Sequence, residues 1–371
     1  MKHVLYVLEA VEGGAWRHLK DLIGEIHGKS VQCSVALSFE RDLDNIDEVL
    51  RFLSSINVPF YEIPMKRGAV PGDMTATFKI SKLIRELKPD LVHAHCAKAG
   101  VLGRIAAKLN KTPAVYTPHC FPFLMNNTRL SAAYNFVEKG MVNTSSAIIV
   151  LSREEYEASI QLGYHQQRIH FIPNGIRPCG LKLPEINNHK PLKLGFFGRD
   201  AMQKGADDFV RMIQELNQRD VECVGNIYGV FSAGHPASGF GNCDNCQNII
   251  RICGRCPQDQ VIRRMRECDV IVIPSRWEGL PYVLLEALDA GVPVSAYCVG
   301  GIEDVITHGV NAMLAAPGEF DDLVTNTAKL CDAALRREFA EKGRQTVAQY
   351  NLERMVAATL DVYNIVRFCR I

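Results

Sequence analysis

Apolar residues along this chain gather into short unbroken runs, each followed by a glycine or polar turn and then by a stretch with helical spacing. Residues 3–9, 31–38, 58–62, 90–93, 113–117, 146–151 and 169–172 are rich in Val, Ile, Leu and Tyr and show little alternation of apolar and polar positions. Runs of this kind predict parallel strands buried on both faces. Helical spacing recurs between them at 15–27, 75–88, 100–110 and 128–143. The rhythm breaks at 176–191, IRPCGLKLPEINNHKP, whose prolines and Asn pair suit an interdomain linker. It restarts with LKLGFFG, VECVGNIYG, IIRICG, DVIVIPS and VPVSAY. The predicted fold class is α/β: two doubly wound Rossmann-like domains facing across a cleft. The boundaries fall at 1–176 for an N-terminal domain, 177–191 for the linker and 192–350 for a C-terminal domain. A closing amphipathic helix, 351–371, is placed to pack back on the N-terminal domain.

Length and charge narrow the classes of function. A chain of 371 residues exceeds what one hydrophobic core comfortably organises, in keeping with two domains. The formal net charge of +1 gives no global basic excess that would point to nucleic acid. The apolar runs fall well short of the roughly 20 residues that span a bilayer. The opening MKHVLYVLEAVEGG lacks a long apolar signal region and a small-residue cleavage site, so it reads as a first strand and a cytoplasmic location is expected. Thirteen cysteines, an odd number spread over a long chain, fit reduced thiols better than a disulfide framework. Cys243, Cys246, Cys253 and Cys256 form two C-x2-C pairs, a zinc-like pattern whose inner gap is shorter than in the usual ribbon.

In doubly wound sheets, ligands bind beyond the carboxyl ends of the strands, and three stretches there carry chemistry. In SRWEGLPYVLLEALDAGVP, Glu278 lies in the turn after a strand, Pro281 is expected at the first helical position, and Glu286 sits on a short apolar helix. Burying an unpaired carboxylate costs several kcal/mol, so Glu286 requires a partner: an Arg, a backbone donor or a ligand hydroxyl. GFFGRDAMQKGAD places Arg199 and Lys204 between a strand and a helix. A guanidinium fork and an ammonium point charge together suit a diphosphate. EAVEGGAWRHL sets Gly13 and Gly14 at a helix start, where backbone N–H groups can approach an anion.

These stretches together resemble a known family. EGLPYVLLEALDAGVPV is similar to the E-x7-E signature of retaining nucleotide-sugar glycosyltransferases of family 4, of GT-B architecture, and FFGRDAMQKGAD resembles their Gly-Arg…Lys-Gly donor-phosphate motif. FIPNGI, GGAWRHL, VHAHCAKAGVLGR and YTPHCFPF resemble further segments, in the family's order, of members that build bacterial surface polysaccharides. The resemblance implies that Glu278 contacts the donor sugar, Glu286 the ribose, and Arg199 and Lys204 the diphosphate. Gly13 and Gly14 would meet the phosphate, Gly279 and Leu280 the donor, and the backbone at Arg255 and Cys256 the base. His119 would lie near the point of transfer, with His93 and His95 as weaker candidates. A nucleoside-diphosphate sugar is implied as co-substrate, UDP favoured over GDP, with no metal or other cofactor required. The acceptor would be a saccharide or lipid-linked saccharide.

The chain also departs from the family's pattern. Cys120 stands where a Gly is expected after the cleft histidine, and NIYGVF lacks the usual Gly-Asp-Gly ending. Phe121, Phe123, Leu124 and Met125, with Arg104, Lys108 and Lys111 at helical spacing, predict a face for peripheral contact with anionic membrane at the inner side of the cytoplasmic membrane. The alternative function is an inactive nucleotide-sugar-binding or sensor protein of the same architecture.

Overall fold

The computed structural model describes residues 2–40, 46–66, 68, 70–124, 128–199, 201–229 and 249–368. The chain divides into two compact units, Met1–Asn174 with Leu352–Ile371, and Gly175–Asn351.

In the first unit, seven parallel strands stand in the order β3-β2-β1-β4-β5-β6-β7. They are β1 (Lys2–Leu8), β2 (Val31–Leu37), β3 (Phe60–Glu62), β4 (Leu91–His95), β5 (Ala114–Thr117), β6 (Ala147–Val150) and β7 (Ile169–Phe171). The unbroken apolar runs find their physical reason here. Along β1, Val4, Tyr6 and Leu8 enter one core with Trp16, Leu19 and Leu22, while Leu5 and Val7 enter another with Ile80, Leu83 and Ile84. Both faces of the strand are dry, so neither can carry polar residues. The helix Leu352–Phe368 completes the first of these cores through Leu352, Met355, Val362, Tyr363 and Val366.

The second unit holds six parallel strands in the order β10-β9-β8-β11-β12-β13. These are β8 (Leu192–Phe197), β9 (Cys223–Tyr228), β10 (Ile250–Gly254), β11 (Val270–Ile273), β12 (Val294–Tyr297) and β13 (Met313–Ala315). The proline-rich segment ahead of β8 is strapped to this unit by its carbonyls and amides. Arg344 donates to the Leu181 carbonyl (2.7 Å), Arg336 to that of Asn187 (2.8 Å), and Cys179 N to Asp289 (2.7 Å). Pro281 is the residue before the helix Tyr282–Ala290, with extended backbone at ψ 132°, rather than its first helical position. Helices Ile46–Ser55 and Arg153–Leu162 and strand β13 were not among the predicted elements.

Each sheet reverses its strand order once, between β1 and β4 in the first and between β8 and β11 in the second. In doubly wound sheets such a reversal is the place where ligands bind, beyond the carboxyl ends of the strands.

Candidate active site

The switch point of the second sheet collects the loops after β8 and β11. Gly198 and the exposed Arg199 follow β8, and Met202–Lys204 form one turn of 3-10 helix. Gly205 then turns at φ +67°, where an added Cβ would lie 2.0 Å from the Pro274 carbonyl oxygen, so only glycine lets this turn close on the loop after β11. The turn carries Lys204 Nζ to 2.5 Å from Glu278 Oε1, with 6% of Glu278 exposed. Gln203 Nε2 donates to the Trp277 carbonyl (2.9 Å) and lies 3.5 Å from the other Glu278 oxygen. Arg276 ties the same loops together, donating to the Met202 carbonyl (2.6 Å) and to Asp207 (2.6 Å). From the far side, Gly300 allows β12's loop to approach, because a Cβ there would stand 1.9 Å from the Glu278 carbonyl oxygen. Gly301 N donates to the Gly279 carbonyl.

Gly279 and Leu280 are buried behind this loop, and Glu286 is half-buried on the helix Tyr282–Ala290. Burial pushes the Cys256 thiol up; Arg264 draws it down and the Glu286 carboxylate raises it again, so Glu286 and Cys256 lie within each other's field. The structure thus brings Lys204 and Glu278 into contact, and Glu286 and Cys256 into one neighbourhood. Arg276, Gln203, Gly300 and Gly301 were missed. Only the Gly-Gly pair after β12 offered a visible signal.

In the first unit, Gly13 and Gly14 are exposed at the start of the helix Gly13–Ile26, with Gly13 at φ +71° and no side-chain cap from Glu12. His119 and Cys120 follow β5, both in the left-handed region at φ +56° and +91°. Such conformations cost of order 1–3 kcal/mol each in a non-glycine residue. The expected glycine is thus replaced by a cysteine held in a glycine-like conformation, and Glu155 holds it: one carboxylate oxygen accepts from Cys120 N and the other from Leu151 N. Burial pushes the Glu155 carboxyl up to about 7, against the pull of these amides.

His119 does not stand alone. Its Nε2 lies 2.9 Å from Nδ1 of the fully buried His95, and its ring meets that of His18 edge-on at 4.9 Å. His18 Nδ1 bonds the Asn174 side-chain oxygen (2.9 Å). His93 bonds Tyr363 (2.6 Å) and Thr117 (2.8 Å). Burial lowers the pKa of all four imidazoles, and neighbouring histidines lower those of His93, His95 and His119 further. His93 is thus held on both ring nitrogens, whereas His95 is held on one, by His119. His18, one turn into its helix, was missed as part of this group.

Two expectations are corrected. Arg104 is not on a basic surface: it is fully buried, pairs with Glu138 at 2.8 Å and stacks 3.9 Å from the Tyr116 ring centroid. Phe121 is likewise buried, stacked on Phe123 at 4.8 Å and packed against Tyr116. Lys108 and Lys111 are exposed. No helix among the described residues is long and apolar enough to cross a membrane. Met125, Cys243 and Cys246 lie outside the described residues, and with them half of the zinc-like pattern.

Comparison with known proteins matches two family profiles to successive stretches of the chain. The profile of Glycosyltransferase Family 4 matches residues 12–178, and that of Glycosyl transferases group 1 matches residues 191–333. A Klebsiella pneumoniae protein described as an uncharacterized 41.2 kDa protein in the cps region is 28% identical over 254 residues, covering 63% of this chain and 67% of that protein. The Escherichia coli UDP-Gal:alpha-D-GlcNAc-diphosphoundecaprenol alpha-1,3-galactosyltransferase is 24% identical over 310 residues, covering 78% of this chain and 79% of the relative. Among solved structures, Anabaena Alr3699/HepE in complex with UDP-glucose superposes with a TM-score of 0.78 at 19% identity, covering 98% of this chain and all of the other.

Proposed function

The chain belongs to glycosyltransferase family 4, of the surface-polysaccharide type, and from that premise we propose a retaining hexosyl transfer from a UDP-sugar to a hydroxyl of a lipid-linked saccharide. The observation that carries the proposal is the Lys204–Glu278 contact of 2.5 Å at the switch point of the second sheet. A nucleoside-diphosphate sugar needs a cation at its leaving group and a hydrogen-bond acceptor at its hexose, and these two side chains supply both on adjacent loops. The barrier lies in breaking the anomeric C–O bond, as negative charge gathers on the departing diphosphate and the sugar becomes oxocarbenium-like. Lys204 and Arg199 stabilise the first of these charges. Glu278 accepts from sugar hydroxyls while holding the ammonium in place. Glu286 takes the ribose hydroxyls, Gly279 and Leu280 line the donor, and the backbone at Cys256 meets the base. Gly13 and Gly14 contact phosphate, and His119 contacts the reacting sugar or the acceptor. UDP as the nucleotide draws support from the name of the E. coli relative and from the UDP-glucose complex of the Anabaena protein. The lipid-linked acceptor draws support from the same relative's name.

The experiment is to incubate the protein with UDP- and GDP-hexoses, measure nucleoside diphosphate release, and read the product's anomeric configuration by proton NMR. UDP release that falls at least 100-fold in Glu278→Ala, with an α-linked product from an α-linked donor, is the expected result. Release that is absent with every donor, or indifferent to Glu278→Ala, would favour a nucleotide-sugar sensor; a β-linked product would exclude retention.

A further inference from the structure

The histidines at the carboxyl edge of the first sheet form a group that leaves two buried ring nitrogens without a hydrogen-bond partner. His18 comes from the helix after β1, His95 from the end of β4 and His119 from the turn after β5. One ring nitrogen of each lies within 4.8 Å of those of the other two. His18 gives its Nδ1 hydrogen to Asn174, which leaves its Nε2 as a bare lone pair, and this atom is buried with no hydrogen-bond partner. His95 Nε2 is also buried and unpartnered, while its Nδ1 shares a single hydrogen with His119 Nε2. A buried polar atom left unsatisfied is destabilising, and two in one cluster leave room for a ligand that accepts electron pairs.

We propose that His18, His95 and His119 form a binding site for one divalent transition-metal ion of the Zn2+ class. Three neutral imidazoles are borderline ligands that suit Zn2+, Co2+, Ni2+ or Cu2+ and do not suit Mg2+ or Ca2+, which require oxygens. The hydrogen bond from His18 to a carboxamide oxygen is the outer-shell contact that fixes a metal-binding histidine's tautomer and ring angle. Three protein ligands leave one coordination position open. Occupation of the site draws on the His119 ring. On the transfer reading given above, added Zn2+ therefore slows turnover and a chelator restores it; metal binding itself does not depend on that reading.

The test uses the full chain with Cys243, Cys246, Cys253 and Cys256 replaced by Ser, so that the paired C-x2-C thiolates cannot take the ion. Zn2+ is titrated by calorimetry, retained metal is measured after desalting, and Co2+ is followed by visible absorption. One ion per chain is expected, with affinity lowered at least tenfold in His18→Gln and by about 10–100-fold in Asn174→Ala, which leaves all three imidazoles in place. Should His18→Gln fail to fold by circular dichroism, Asn174→Ala decides. Absence of Zn2+ retention in the chain lacking those four cysteines, or unchanged affinity in the variant that folds, overturns the site whether or not the protein transfers sugar.

Discussion

Two ion pairs of similar length stand in the two units of this protein, and they do opposite things. Arg104–Glu138, at 2.8 Å, has side-chain exposures of 0% and 3%; Lys204–Glu278, at 2.5 Å, has 19% and 7%. The first is closed. Arg104 also donates to the Gly100 carbonyl and Tyr164, Glu138 also accepts from Tyr116, and the guanidinium lies over the Tyr116 ring. The second is open. Lys204 and Glu278 stand on loops at a sheet's switch point, held by backbone contacts from Gln203 and Gly205, with a cation that water reaches. A charge pair whose every valence is spent can only hold a fold, whereas one with room at its edge can exchange partners with a ligand.

Breaking the closed pair should have the largest effect. Arg104→Met leaves the Glu138 carboxylate buried without its cation, and a loss of about 3–5 kcal/mol is expected from urea unfolding. The double substitution Arg104→Met with Glu138→Leu should recover much of it, because two matched apolar groups leave no orphaned charge. If the single variant unfolds at the wild-type midpoint, the pair is not the structural one described.

Next in size is the open pair. Lys204→Ala removes a cation placed where negative charge develops during transfer, and turnover should fall by about 10²–10³-fold. The folded state should lose less than in Arg104→Met, since Lys204 keeps 19% of its side chain exposed and its removal lets water reach the Glu278 carboxylate. A variant that loses stability and activity in parallel would erase the distinction between the two pairs.

Glu155 sharpens the comparison from a third side: a buried carboxylate with amides for partners and no cation. Its carboxyl is raised by burial to about 7, so between the ordinary value near 4.5 and about 7 the folded chain holds a proton that the unfolded chain has released. Stability from this group is therefore greatest at the acid end of that window and declines as pH rises through about 7. Glu155→Gln should flatten this slope, measured as unfolding midpoints at pH 5 and pH 8. Because one backbone N–H then faces an amide N–H, it should also cost about 1–3 kcal/mol. Loss of the Cys120 anchor displaces His119, so turnover should fall as well.

These contrasts also mark what could be read from sequence. Strands such as β1, β6 and β11 announced themselves because both of their faces are buried, which forces a continuous apolar run. Lys204 and Glu278 could be named because each belongs to a motif confined to one loop, and the chemistry of a diphosphate is visible in Arg and Lys placed after a strand. Arg104 was misread because its spacing with Lys108 and Lys111 suggested a basic face, and the sequence does not show that Glu138 arrives from a later helix to bury it. The tie from Glu155 to Cys120 and the meeting of His18, His95 and His119 were illegible for the same reason. They depend on which strand ends the sheet order brings side by side, and β1, β4 and β5 are neighbours only in the folded sheet.

The smallest expected effect tests whether burial or mere proximity distinguishes these pairs. Lys29 and Glu25 approach to 3.4 Å at the end of the first helix, with side-chain exposures of 66% and 34%. Water solvates both charges before and after the contact forms, and two long side chains lose rotamer freedom to make it. Lys29→Ala should thus change stability by no more than about 0.5 kcal/mol and leave turnover unaltered. If the loss instead approached that of Arg104→Met, charge proximity alone would explain all three pairs. The openness of the Lys204–Glu278 contact would then cease to be an argument for a ligand.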